Sequence, residues 1–234
     1  MVKRLLSVLC FILPFLPGSA WSAGFDAETV GAEPKSFSAA VGNWVVVDDG
    51  GRKRLSVNGS RWARGQPSAG LADKARALYG ERYAEFLDNV RSYAYFPIAV
   101  ANVPADFQEG TITVQFKGLA GRIDQAAGIL FNVQPNGDYL TLRANCLEDN
   151  LVLFKYERGS RSSVKWIRNT PTPSGQWHEL RLTVKGRQVD GWLDGVRYLT
   201  HDLPAPVSGR VGLWSKADSV VYFDDFRVEP AKPR

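Results

Sequence analysis

Thr111-Ile-Thr-Val-Gln-Phe116 alternates polar and apolar side chains, and the alternation recurs from there almost to the end of the chain. Side chains on an extended strand point to opposite faces in turn, so a period of two marks a strand with one buried face. Ala127, Ile129, Phe131 and Val133 form the next apolar set. Asn136-Gly137-Asp138 predicts a hairpin turn, because Asn-Gly tolerates the positive φ angles of a tight connection. It leads into Tyr139-Leu-Thr-Leu-Arg-Ala-Asn145. Further strands are predicted over 150–156, 164–168, 178–184, 188–193, 211–214 and 220–228, separated by turns such as Arg158-Gly159-Ser160, Lys185-Gly186-Arg187 and Asp194-Gly195. Short strands at about 8–12-residue spacing with Gly and Pro turns predict an all-β sandwich or jelly roll. No repeat of fixed period is visible, which disfavours a propeller.

Upstream, Trp44-Val-Val-Val-Asp48 begins the strands, and residues 24–38 read as an extended lead-in. Between them and the main β region the texture changes. Leu71, Ala75, Leu78, Tyr79, Phe86, Leu87 and Val90 recur at three- and four-residue spacing among charged residues, which predicts an amphipathic helix or helix pair broken at Gly80. Residues 61–95 are therefore read as a helical insertion lying across the β body. Its aromatics, Tyr79, Tyr83, Phe86, Tyr93, Tyr95 and the adjoining Phe96, either form a sugar platform or staple the helices to the sheet.

The first residues read as a secretory leader. Lys3 and Arg4 precede an apolar run at 5–16, and small residues follow at Gly18, Ser19, Ala20, Ser22 and Ala23. Cleavage after Ala20, Ser22 or Ala23 fits, with the domain boundary expected at 23/24. The run is too short to span a bilayer, which takes about 20 residues. Cys10 lies inside the run after Leu9, which argues against a lipid anchor. A secreted, periplasmic protein without stable membrane insertion is expected. The net charge of +5 loses two units with Lys3 and Arg4. No basic run interleaves with aromatics, so nucleic acid is not an expected partner. Cys146 is the single cysteine beyond the leader, so no disulfide framework is available and the thiol is expected to be buried and inert.

Gly137-Asp-Tyr-Leu-Thr-Leu-Arg-Ala-Asn-Cys-Leu-Glu-Asp-Asn150 resembles the Tyr…Arg-x-Asn-x-Leu-Glu-x-Asn segment of the 3-keto-disaccharide hydrolase-like domains, which are concanavalin A-like lectin/glucanase jelly rolls. Trp177-His-Glu-Leu-Arg181, Leu193-Asp-Gly195, Gly209-Arg-Val-Gly-Leu-Trp-Ser-Lys-Ala-Asp-Ser219 and Phe223-Asp-Asp-Phe226 are similar to that family's later landmarks, in order. The likeness runs over 107–228. Cys146 replaces a small residue, and the helical insertion is not a general family feature. The resemblance implies a concanavalin A-like jelly roll that cleaves 3-keto-glycosides. A ketone at C3 acidifies the C2 proton, so one base and one cation suffice to expel the C1 substituent.

The pleat places Tyr139, Thr141, Arg143 and Asn145 on one face and Leu140, Leu142 and Ala144 on the other. The polar set is expected to face outward onto the concave, glycan-holding surface, with Glu148, Asp149 and Asn150 at the turn beyond it. Glu148 is the candidate base and Arg143 or Lys216 the candidate enolate stabiliser. Tyr139, Asn145, Asn150 and Asp218 are candidate sugar contacts, and Asp218 or Asp149 candidate ligands of a divalent cation. Each has a plainer reading: Arg143–Glu148 as an ion pair pinning a turn, and Asp218 as an acceptor of backbone N–H groups. His178 is read as a packed histidine and His201 as solvated. The paired-carboxylate strand by which glycanases of this fold place nucleophile and acid on one face is absent, as are the Gly-x-Ser-x-Gly elbow and the His-Glu-x-x-His helix. Two further functions stay open: a non-catalytic glycan-binding module, and an envelope protein that meets a partner through its helical insertion.

Overall fold

The computed structural model describes residues 20–61, 67–90 and 96–231. In chain order, β1 (Trp21–Ala23), β2 (Phe37–Val41), β3 (Trp44–Asp49) and β4 (Arg52–Asn58) precede two short helices, α1 (Leu71–Tyr79) and α2 (Tyr83–Val90). Then come β5 (Ile98–Ala101), β6 (Gly110–Ala120), β7 (Ala126–Val133), β8 (Tyr139–Asn145), β9 (Asn150–Glu157) and β10 (Ser160–Arg168). The chain ends with β11 (His178–Lys185), β12 (Gln188–Leu193), β13 (Val196–Asp202), β14 (Arg210–Ser215) and β15 (Val220–Pro230). Two antiparallel sheets result. One runs β13-β12-β11-β6-β15-β4-β3, with β1 added to β15; the other runs β10-β9-β8-β7-β14-β5-β2. This is the jelly-roll sandwich that the alternation predicts, with the helical insertion where it was expected.

The inward faces meet as the alternation requires. Ile112, Val114 and Phe116 of β6 oppose Ile129 and Phe131 of β7 and Leu140, Leu142 and Ala144 of β8 in one buried cluster. Burying each large apolar side chain contributes about 1.5–3 kcal/mol. Cys146 continues the inward set of β8 and is buried. Its Sγ would lie 2.7 Å from a Cβ on Gly118, so that glycine makes room for it. Desolvation pushes the thiol up to about 11, which keeps it protonated and unreactive.

A second cluster lies on the outer face of the seven-stranded sheet. Leu71, Ala75, Leu78 and Phe86 of the helices pack there on Val41, Val100, Leu130, Val133, Tyr139, Tyr156 and Trp214. The helices are separated by a single 3-10 turn at Gly80–Arg82, where the periodicity falters. Among the described aromatics of the insertion, Phe86 is a staple, buried against Tyr79. Tyr93, Tyr95 and residues 1–19 of the expected leader lie outside the described residues.

The N-terminal segment differs from expectation. Trp21–Ala23, assigned to the leader, forms β1, with Trp21 opposite Val228 and Ala23 opposite Phe226. His201 lies within β13, opposite Val189. Asp224 pairs with the guanidinium of Arg54, which allows a charged residue to lie mid-strand in β4. Asp225 adopts φ 49° inside a bulge of β15 and pairs with Arg227.

Candidate functional site

The functional corner is assembled by register. Arg143 on β8 lies opposite Gly128 of β7 and Val152 of β9. Asn145 lies opposite Ala126 and Asn150. The pleat of β8 is as read from the sequence, but its outer face is roofed. A Cβ on Gly128 would come within 3.2 Å of the Trp214 ring, so the glycine lets the indole lie flat across the sheet. Trp214 Nε1 donates to the Tyr139 hydroxyl at 3.2 Å. Phe96 then stacks on Trp214 at 5.5 Å between ring centroids, and Tyr139 stacks on Tyr156 at 4.2 Å. Tyr139 is 2% exposed. It is therefore a buried support for the floor and not the expected sugar contact.

Arg143 is 1% exposed, a charge that burial tolerates only when it is paired. Its Nη1 donates to Glu148 Oε2 at 3.1 Å and to Asn150 Oδ1. Asn150 Nδ2 donates to the same Glu148 oxygen at 2.9 Å, closing a three-membered network. The rings of Phe154 and Trp166 lie 5.4 and 5.9 Å from the guanidinium carbon, within cation–π range. Burial lowers the Arg143 pKa, opposed by Glu148.

Glu148 sits in the turn after β8 with its side chain 38% exposed. Desolvation raises its pKa, but hydrogen bonding from Asn150 and the charges of Arg143 and Lys216 outweigh it, so the carboxyl lies below its ordinary value. Both hydrogen bonds fall on Oε2. Among the described residues Oε1 takes none, so it is available to a ligand.

Behind this network lies a second one. Asn145 Oδ1 accepts from the backbone N–H groups of Gln125 and Leu147, each at 3.1 Å, and its Nδ2 donates to Asp124 Oδ1 at 2.8 Å. Every polar atom of the Asn145 side chain is thus used within the protein. Contrary to expectation, it positions the loop before β7 and does not reach a ligand. Lys216 Nζ lies 2.8 Å from Asp124 Oδ2. Asp124 is fully buried, and desolvation raises its pKa despite Lys216 and Arg143.

Asp218 follows the plainer reading. Its carboxylate accepts the backbone N–H groups of Arg122 at 2.7 Å, Ile123 at 3.0 Å and Asp124 at 3.0 Å. It therefore shapes the loop that presents Asp124, instead of binding sugar or cation. Asp149 accepts the Thr172 N–H at 2.9 Å. Among the described residues no three metal-ligating side chains converge, so these positions do not fit a divalent cation. His178 is packed on the other sheet, with Nδ1 2.7 Å from Asp194 and Nε2 3.0 Å from the Pro173 carbonyl.

Five of the eight candidates (Arg143, Glu148, Asn150, Asn145 and Lys216) share one corner. Sequence reasoning missed Asp124, which joins their two halves, and Trp166, which is 43% exposed beside them. Asp124 lies in no motif, and its partner Lys216 is 92 residues away.

The Laminin G domain family model matches residues 122–224. No curated protein matches the chain. The carbohydrate-binding module CBM66 from Bacillus subtilis superposes with a TM-score of 0.57 at 14% identity, covering 82% of this chain and 95% of the module. A Bacillus subtilis protein of unknown function with a galectin-like fold gives 0.58 at 14% identity, covering 92% and 96%. Bacillus licheniformis β-glucanase gives 0.54 at 12% identity, covering 92% and 100%. The fold is a laminin G-like, concanavalin A-like jelly roll. At such identities the likeness carries the architecture and no residue roles.

Proposed function

We propose that this protein engages carbohydrate at the Arg143–Glu148–Asn150 corner of the seven-stranded sheet and cleaves 3-keto-glycosides there. One observation carries the reading: Arg143, Glu148 and Asn150 converge into a single network that leaves Glu148 Oε1 open, with the exposed Trp166 indole 5.9 Å from the Arg143 guanidinium. Trp166 offers the apolar face that a sugar ring requires. Glu148 takes the C2 proton acidified by the C3 ketone while Lys216 offers positive charge to the resulting enolate. The enolate's electron pair then expels the C1 oxygen, the leaving group takes up the proton, and water adds across the C1–C2 double bond to complete hydrolysis. Solved relatives of this fold that bind or cleave glycans support the sugar class. The fine specificity rests on the resemblance to the 3-keto-disaccharide hydrolase-like domains. Turnover of a 3-keto-glucoside by the purified protein, with and without added divalent metal, tests the reading. No consumption under either condition would overturn it.

One observation favours a second reading, a glycan-binding module without catalysis. Glu148 is held by two donors and lies below the ordinary carboxyl range, and a weaker base is a poorer proton acceptor. In that case the ketone-free glucoside should bind as tightly as the 3-keto form.

Export is part of the same proposal. Trp21 lies 6.1 Å from Phe37 and 5.9 Å from Phe226 between ring centroids, and β1 completes an edge beside β15. Cleavage after Ser22 or Ala23 would remove these contacts, which supports a cut after Ala20. Intact-mass measurement of the exported protein should give Trp21 as the first residue. Among the described residues no helix is long and apolar enough to cross a membrane.

A further inference from the structure

The edge strand β10, Ser160-Arg-Ser-Ser-Val-Lys-Trp-Ile-Arg168, carries three cations and no carboxylate. Its pairing with β9 decides where they point. Arg161 lies opposite Tyr156 and Ser163 opposite Phe154, positions that face outward over the second cluster. Odd-numbered residues therefore share the outer face at the start of the strand. A register shift between Ser163 and Lys165 inserts one extra residue. Beyond it, Trp166 lies opposite Val152 and Arg168 opposite Asn150, again on the outer face, while Val164 and Ile167 pack inward. Bulges re-aim side chains in this way. Without this one, Trp166 and Arg168 would point into the sandwich.

Arg161 does not extend past the edge. Its guanidinium carbon lies 4.7 Å from the Phe154 ring centroid and 5.2 Å from that of Phe96. Trp166 meets Phe154 edge-on at 5.8 Å. Arg143 already pairs with Glu148, and Lys216 with Asp124. Among the described residues neither Arg161 nor Arg168 has a carboxylate within ion-pair distance, and residues 62–66 and 91–95 contain no Asp or Glu. Arg161 also acts repulsively on Arg143, so an anion placed here would relieve like-charge contact.

We infer that the sugar taken at this corner is acidic: Arg161 holds an anionic oxygen group of the glycan while Trp166 covers the ring's apolar face, and Arg168, at the far end of the same outer face, adds positive charge at longer range. The inference rests on the glycan-engaging reading above and adds the substrate class. A planar guanidinium matches a carboxylate or a sulfate ester through paired N–H donors, which an ammonium cannot reproduce. The competing explanation is that edge-strand cations merely discourage pairing with another sheet. Lys165 fits that role; an arginine drawn back to 4.7 and 5.2 Å from two ring centroids does not.

Calorimetric titration with a galacturonate trisaccharide, its carboxyl-reduced neutral counterpart and a sulfated trisaccharide tests the inference. The charged ligands should bind at least about tenfold more tightly than the neutral one, with affinity falling as salt rises. Preference between uronate and sulfate identifies the anion. Arg161→Gln should weaken the charged ligand on the order of 10- to 100-fold and leave the neutral one unchanged. Arg161→Lys should recover only part of the loss. Arg168→Gln provides an independent exposed site with a smaller effect of the same sign. Equal affinity for charged and neutral ligands, or self-association of Arg161→Gln with unchanged affinity, would overturn the inference and leave glycan binding standing. Absence of binding by every ligand would overturn both.

Discussion

Glu148→Gln should lower turnover of a 3-keto-glucoside about 10²–10⁴-fold while lowering the melting temperature only modestly at neutral pH, because Arg143 loses a partly exposed ion-pair partner but keeps its hydrogen bonds. The amide keeps the carboxylate's shape, and its oxygen can still accept from Arg143 and Asn150, so the turn stays closed. What disappears is the proton acceptor at the Oε1 position. Arg143 loses a neutralising charge but retains Asn150, with the charge of Asp124 close enough to act on it. The pH dependence has a definite sign. Glu148 lies below its ordinary value in the folded protein, so its stabilising contribution is present above the unfolded carboxyl range and is lost as pH falls through the folded value. The variant should lack that acid-side loss. Turnover and melting temperature measured on the same variant separate the roles. Full activity with full stability would sink the catalytic assignment; full activity with a strongly lowered melting temperature would make Glu148 a pin for the turn.

Alternation along β6, β7 and β8 was enough to read the sandwich, because period two reports which residues share a face. It does not report what covers that face. Tyr139 was rightly placed outward and wrongly taken as accessible, since Trp214, Phe96 and two helices from distant sequence lie over it. β13 escaped notice because it buries little, Leu199 being its one buried residue, and of β10, which buries none, only 164–168 was read. With one face hardly buried, alternation has little to select. β5 escaped for the opposite reason, being buried throughout and so without alternation. Arg54 hid β4 for another reason, because its charge is explained only by Asp224 on a neighbouring strand. Asp218 shows the limit for sites. A carboxylate near other polar residues reads equally as a ligand or as a cap, and only the three N–H groups of 122–124 decide for the cap. The motif's own residues, Arg143 to Asn150, were legible together because one turn brings them into contact.

Lys216→Met should cost about 3–5 kcal/mol of stability, the range for breaking a buried pair by removing one partner. For a chain of this size that corresponds to a fall in melting temperature of roughly 6–20 °C. Asp124 is wholly buried, while the Lys216 side chain is 16% exposed, so water cannot replace the ammonium. The remaining donor, Asn145 Nδ2 at 2.8 Å, carries no charge. Because burial already holds the Asp124 pKa above its ordinary value, folding favours its protonated form. That contribution is complete below the unfolded carboxyl range and is lost as pH rises through the folded value. Removing Lys216 raises the folded value further, so the deficit against the unaltered protein should be small in mild acid and largest at neutral pH. Denaturant unfolding at both pH values measures it, and an unchanged midpoint at neutral pH would mean that Lys216 does not neutralise Asp124. Adding Asp124→Asn removes the stranded charge, so the double variant should regain most of the lost stability, the pairwise coupling that a double-mutant cycle isolates. The double variant also separates structure from chemistry. A merely structural pair predicts that turnover returns with stability. If Lys216 supplies the charge for the enolate, stability returns and turnover does not.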